Sequence, residues 1–509
     1  MRKTFFLFMT IAALTGCHQA QVPDSFTEAG KPADIYPDYQ GVTVPVNMAP
    51  LHFMLDTPAD EVVARLKAGS EELVLSGPKI CADADEWQTL VNEAAGKDSI
   101  SVELFARNGE QWLRYQPFGI YVSKDSIDPW LTYRLISPSY VAYEELTLNQ
   151  RCLETYEERV IYDNMLCSTE NEGQCINCHH SQLGNPRRTQ FHARQNMGGT
   201  MLQIDGKLKK MNLKTDSTLS AGVYPAWHPK ENIIAYSTNK TMQSFHTRDI
   251  DKIEVLDSQS DLILYDPETD EVSTIENDST EFETFPCWSP DGKWLYYSSA
   301  HFEFKDSLHE HEGESILRYR DFRYNVYRKS FDAATRTFGP RQMVFNADSL
   351  GLSATLPRVS PDGRYLLLTI AEWGTFHIWH RHADLWIMNL ADGSIRPMNE
   401  VNSPSVESYH TWSQNGQWVV VSSRRYDGNF TRPFFFHVDE NGRGTKPFEL
   451  PSEDPNYHRE LMKSYNVPEF LTGPVEFTPQ DFADALKKEA KPAKYREASP
   501  PAPLARRGE

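Results

Sequence analysis

The chain of 509 residues is expected to be all-β: a β-propeller of five to six blades, preceded by a small β-sandwich-like domain and a segment centred on a Cys-x-x-Cys-His motif. Three features predict this. The first is a repeat in the C-terminal half, which must be recognised before any other fold argument. Its copies begin Ala226-Trp227-His228-Pro229-Lys230-Glu231-Asn232, Cys287-Trp288-Ser289-Pro290-Asp291-Gly292, Arg358-Val359-Ser360-Pro361-Asp362-Gly363 and Thr411-Trp412-Ser413-Gln414-Asn415-Gly416. Each reads strand, tight turn, strand, because proline presets φ and glycine accepts positive φ. The second is a further hairpin after each copy, through Leu262-Ile263-Leu264-Tyr265, Val326-Tyr327-Arg328-Lys329, Leu385-Trp386-Ile387-Met388 and Phe434-Phe435-Phe436-His437. Four strands per repeated unit describe propeller blades. The third is a set of short alternating runs separated by turn residues near the N-terminus.

Taken in order, the chain opens on Arg2 and Lys3, a short apolar run, and Leu14-Thr15-Gly16-Cys17. This reads as a lipoprotein signal over residues 1–17, with Cys17 as the lipidated first residue. The run falls short of the ~20 residues a membrane span needs. Residues 18–42 are polar with scattered prolines and read as a tether. The domain over 43–136 carries the alternating runs 51–55, 72–75, 101–105 and 119–122, with a helix near 87–95. Residues 150–164 have helical spacing through Leu153, Tyr156 and Val160. The propeller is placed at 199–477, with a C-terminal tail over 478–509. Within that tail, 481–488 suits a short helix.

The segment 137–198 holds Cys175-Ile176-Asn177-Cys178-His179-His180. Two cysteines two residues apart, followed at once by histidine, form the attachment signature of covalently bound haem c. Each thiol adds to one vinyl group of the porphyrin, and His179 reaches the iron as axial ligand. Zinc would want a second ligand pair at a familiar spacing, and a redox dithiol a βαβ setting. His192 is the first candidate for the sixth iron ligand and Met197 the runner-up, followed by His180 and Met201. Arg187, Arg188 and Arg194 are candidate partners of the haem propionates. Cys81, Cys152, Cys167 and Cys287 remain, in a compartment that permits disulfides; Cys152 and Cys167 are nearest along the chain, though spacing does not fix pairing.

The WSPDGKW-type repeats resemble the TolB-like, WD-repeat-like periplasmic propellers over about residues 199–475. The arrangement as a whole is similar to TolB-like cytochrome c family proteins of Bacteroidetes-type bacteria. Further matching motifs are Phe191-His192-Ala193-Arg194, Gly198-Gly199-Thr200, Ile378-Trp379-His380 and Ser422-Ser423-Arg424-Arg425. The resemblance implies six blades.

The formal net charge is −20, which argues against nucleic acid as a partner and against adhesion to an anionic bilayer through basic patches. Lipid is then the expected membrane link, in the cell envelope and facing the periplasm. No Gly-x-Ser-x-Gly elbow appears, and the residues after Leu450 are few for the catalytic domain that accompanies peptidase propellers. His377, His380 and His382 form a further metal candidate at a strand end, set against a structural role. The expected function is electron transfer or redox sensing by a c-type cytochrome, with the propeller as docking platform for an unknown redox or protein partner. The alternatives are a binding or scaffold protein with structural haem, and a propeller enzyme using haem or a metal.

Overall fold

The computed structural model describes residues 20–137, 145–305 and 311–497. Over these the chain closes a six-bladed β-propeller. The lipoprotein signal with Cys17 and the last residues of the tail lie outside the described residues.

Blade 1 runs from its inner strand Gln174–Ser181 through Arg188–Gln195 and Gly199–Ile204 to Lys207–Asn212. The inner strands of blades 2 to 5 are Val223–Trp227, Glu281–Trp288, Ser353–Val359 and Glu407–Trp412. Each is followed by antiparallel partners, as the repeat predicts. Blade 6 is assembled from both ends of the chain. Its inner strand Ser464–Leu471 pairs with Trp130–Ile136, which continues to Thr147–Cys152 and Glu158–Asp163.

The turns explain the repeat. In the third blade Ser289 Oγ donates to Asp291 Oδ1 (2.6 Å), which also accepts from the Lys293 amide (3.0 Å), while Gly292 takes φ +75°. Ser360, Asp362 and Gly363 repeat this arrangement. In the fifth blade Asn415 supplies the same oxygen, so the departure from Pro-Asp-Gly there changes nothing structural. The tryptophans after the inner bulges tie neighbouring blades together. Trp288 Nε1 donates to the Ala226 carbonyl (3.0 Å) and Trp412 Nε1 to that of Arg358 (3.2 Å). Apolar clusters fill the wedges between adjacent blades.

The N-terminal domain is a seven-stranded sheet carrying the helix Ala84–Ala94. Trp87, Leu90, Val91 and Ala94 are the helix's buried face, and Asp83 caps its start. Its core is continuous with blades 5 and 6 through Trp418, Phe435, Tyr465 and Phe470. The helix expected over 150–164 is corrected to two strands. All six residues of Thr147–Cys152 are buried, and carbonyls outside the sheet accept from two of the polar side chains: Gln150 Nε2 donates to the Val475 carbonyl (2.9 Å) and Arg151 Nη2 to that of Pro451 (2.6 Å). Tertiary pairing outweighs the local spacing. The separate segment drawn over 137–198 divides likewise: its first part completes blade 6, and its second part is half of blade 1. The helix expected over 481–488 is present as Pro479–Leu486, closed by a capping box of Thr478 and Asp481.

Candidate functional site

Every inner strand breaks its alternation at one point. The register slips between Asn177 and His180 in blade 1, and at the matching place in the other five. At each slip a non-glycine residue takes left-handed backbone: Cys178 (φ +53°), Tyr224 (+47°), Phe285 (+53°), Leu356 (+54°), Tyr409 (+49°) and Val467 (+51°). Such conformations cost on the order of 1–3 kcal/mol each and persist where the surroundings over-determine them. Here the bulges turn six side chains toward the propeller axis, and all six line one central cavity of about 1060 Å³. That is at the upper end of the roughly 300–1,000 Å³ typical of small-molecule sites.

The Cys-x-x-Cys-His motif is therefore one copy of a ring. Cys178-His179 stands where Tyr224-Pro225, Phe285-Pro286, Leu356-Pro357, Tyr409-His410 and Val467-Pro468 stand in the other blades. That recurring dipeptide is the sequence signal that would have located blades 1 and 6.

Cys175, Cys178, His179, His192 and Arg194 all face this cavity. His179 is buried, and its Nε2 has no hydrogen-bond partner. Burial lowers its pKa to about 4, against the opposing pull of Glu469. His192 falls to about 3, first from burial and then from the Arg194 charge; its Nδ1 lies 3.2 Å from Thr200 Oγ1. Burial pushes the Cys178 thiol up, while the Tyr224 backbone and Arg194 oppose it. At neutral pH both imidazoles are uncharged, the form that binds metals. Arg194 Nη2 lies 3.7 Å from Cys175 Sγ, and with the Asn177 amide oxygen turned inward it donates to Asn177 Oδ1 (2.5 Å). Two thiols and a neutral imidazole among the residues lining one cavity are the residue types that hold a c-type haem, so these residues fit that group.

Other candidates are not gathered here. Arg187 is exposed in the turn before the second strand of blade 1, and Arg188 pairs with Asp205 (2.5 Å). Met197 takes left-handed backbone and packs with Met201 in the apolar cluster between blades 6 and 1. His180 Nδ1 is committed to Glu469 Oε1 (3.0 Å). His380 Nε2 bonds Glu254 (3.0 Å), His377 Nε2 bonds the Gly374 carbonyl (3.0 Å), and His382 is exposed. Cys81, Cys152, Cys167 and Cys287 are all free thiols, so the Cys152–Cys167 pairing is not formed. Sequence reading missed Arg134, Tyr224, Arg358 and Tyr409, which line the same cavity from other blades.

The expectation of an electron-transfer cytochrome with the propeller as docking platform is corrected. The motif is not a segment displayed beside a platform; it is the inner strand of a blade, and its side chains face the central cavity. Among the described residues, no group of three or more His, Cys, Asp or Glu side chains is gathered about a metal position.

The fold places the chain among β-propeller proteins. No family model and no curated protein matches it. Among solved structures it is similar to an oligogalacturonate lyase in complex with manganese, at 11% identity and a TM-score of 0.35, covering 63% of this chain and 72% of that one. It is also similar to the β-propeller domain of the Trilobed protease from Pyrococcus furiosus, at 11% identity and a TM-score of 0.30, covering 78% and 96%. Prolyl oligopeptidase B from Galerina marginata is matched at 11% identity and a TM-score of 0.33, and the chain spans about half of it, 54%. Likeness at these levels is one of fold alone.

Proposed function

We propose that the protein is a propeller enzyme whose central cavity is the reaction site, with a haem c attached through Cys175 and Cys178 as its resident group. The observation that carries this reading is the shared lining: Cys175, Cys178 and His179 all border the cavity. When bound, the haem would supply redox or Lewis-acid chemistry at its iron. Cys175, Cys178 and His179 would hold it, and His192 borders the same space as a second neutral imidazole. Blade walls limit bulk water, and the cavity volume leaves room for a small molecule. Lipid attachment at Cys17, supported by Leu14-Thr15-Gly16-Cys17 alone, would tether the protein in the cell envelope.

The test is a pyridine haemochrome spectrum and intact mass of the full chain purified from a haem-maturing host, beside the Cys175→Ala/Cys178→Ala variant. The expected result is one haem in the first and none in the second. Loaded protein should also change its optical spectrum when cyanide or imidazole is added, as an accessible iron requires. A wild-type chain without added tetrapyrrole overturns the haem. A loaded chain indifferent to both ligands overturns the reaction site.

A further inference from the structure

The hairpin formed by the second and third strands of blade 2 outgrows its blade. Those strands, Ile234–Phe245 and Ile253–Asp266, run to 12 and 14 residues, against 8 each for Trp294–His301 and Asn325–Asp332 in blade 3. Pairing along them slips once, between Lys240 and Thr241, where Ser258 is left over. A bulge of this kind bends a ribbon locally and adds twist. Beyond it the hairpin becomes an arm over 241–245 and 253–257, whose strand pairing, among the described residues, stays within the arm itself. Strand alternation turns Asn239, Thr241 and Gln243 to one side. All three line the central cavity, together with Val255 opposite Gln243.

The far end of the arm crosses to blade 4. Glu254 Oε2 accepts from His380 Nε2 (3.0 Å) and from Trp373 Nε1 (3.1 Å), both on the segment between that blade's second and third strands. The His380 and Glu254 side chains are 4% and 2% exposed, so removing one leaves the other buried without its bond, and the contact is a discrete one, either made or released. Gly374 (φ +82°) makes room for it, since a Cβ there would lie 2.6 Å from His380 Cε1 and 3.1 Å from Glu254 Oε1. At the tip, the Arg381 amide donates to Asp251 Oδ1 (3.0 Å). Arg320 Nη2 donates to Asp249 Oδ2 (3.0 Å), with its Cζ 4.7 Å from the Trp373 ring centroid. At the base, Asp257 accepts from Asn239 Nδ2 and Thr241 Oγ1 (2.7 Å each), one on either side of the slip. The blade 4 segment itself lines the cavity through Phe376 and Ile378, so the arm and its anchor border one space.

We propose that this arm is a gate on the central cavity, hinged at the Ser258 bulge and latched by Glu254 on His380. The inference rests on the reading of that cavity as the functional site and names the element that controls access to it. Opening withdraws Thr241, Gln243 and Val255 from the lining and widens the path to Cys178, which borders the same cavity. His380, in the Ile378-Trp379-His380 motif, is then a latch residue.

The test is the rate at which Cys178 reacts with a maleimide bearing a bulky fluorophore, read by peptide mass mapping. It uses the reduced full chain produced without haem maturation, in which the thiol is free. Glu254→Ala should speed labelling of Cys178 about tenfold or more, the range for unpairing one buried hydrogen-bonding group. Arg320→Gln, which removes one exposed bond at the tip, should give a smaller rise of about two- to fivefold. Cys287, buried in the apolar cluster between blades 3 and 4, is the internal control and should keep its rate. A rise confined to Cys178 supports the gate. Equal rises at Cys178 and Cys287 mean that Glu254 serves overall stability, and they overturn it. Unchanged labelling of Cys178 in variants shown by circular dichroism to be folded overturns it too; if Glu254→Ala fails to fold, Arg320→Gln decides. The labelling needs no porphyrin, so its failure is distinct from wild type purified without haem.

Discussion

His180 Nδ1 lies 3.0 Å from Glu469 Oε1, joining the inner strand of blade 1 to the strand that closes blade 6. Although burial raises the Glu469 carboxyl, the His180 charge and hydrogen bond hold it below its ordinary value. Its contribution is therefore present above the ordinary carboxyl range and lost as pH falls through the depressed value. Glu469→Gln should cost about 1–3 kcal/mol at pH 7, less than a fully enclosed pair because His180 is partly exposed. Urea midpoints at pH 7 and pH 4 check this, and the gap between wild type and variant should shrink at the lower pH.

The buried histidines predict a second pH dependence, in haem-free protein. His179 at about 4 and His192 at about 3 stay neutral in the fold below the ordinary 6.5. The unfolded chain binds more protons in that window, so stability is highest above pH 6.5 and declines as pH falls toward 4. His192→Gln should flatten that decline in thermal melts recorded from pH 7 to pH 4.5. An unchanged slope would mean His192 is protonated in the fold.

Left-handed backbone at Cys178 sets up a comparison between two small replacements. Glycine accepts φ +53° without penalty and alanine does not. Haem-free Cys178→Gly should therefore be about 1 kcal/mol more stable than Cys178→Ala, the reverse of their order in an ordinary strand. Equilibrium unfolding in urea measures the difference.

Glu283 is fully buried and neither carboxyl oxygen finds a partner. Burial, then Glu276 and Asp261, push its pKa up to about 9. The fold keeps this proton and the unfolded chain does not, so stability falls as pH rises from the ordinary carboxyl value toward 9. Glu283→Gln should raise the melting temperature, with a gain of roughly 3 kcal/mol at pH 7 as an upper bound. The gain should be larger at pH 8.5 than at pH 5; equal gains would remove the buried proton from the account.

Two turn glycines separate strain from collision. Gly292 (φ +75°) and Gly363 (φ +74°) occupy equivalent turns, but a Cβ on Gly292 would lie 2.4 Å from His228 Cε1, whereas one on Gly363 meets nothing within 4 Å. Gly363→Ala should cost about 1 kcal/mol and Gly292→Ala clearly more. Thermal unfolding of both variants tests the order.

Blades 3 to 5 are legible in the sequence because their signal is local: a serine, an Asp or Asn turn, and a glycine within six positions, while blade 2 keeps only the Trp227-His228-Pro229 start of the repeat. Blades 1 and 6 are obscured for different reasons. Blade 1 replaces the repeat's proline with His179, and blade 6 draws its strands from residues more than three hundred apart, so no window contains it. The polar residues flanking the motif suggest a loop, yet Cys175 to His180 lie within the strand Gln174–Ser181, whose Asn177 and His179 line the cavity. Arg134 carries no motif, and Arg358 and Arg424 stand in stretches that signal fold alone; only ring closure brings the three to one cavity.

The seam of blade 6 has a temporal consequence. Arg134 and Asn466, bonded at 2.8 Å, are 332 positions apart. Until the later strand emerges, the earlier sheet of that blade lacks its innermost member and the circle stays open on one side. Contacts of such long range make for slow, late consolidation. Through that interval Cys175 and Cys178 stay open on the side where the last strand later docks beside blade 1.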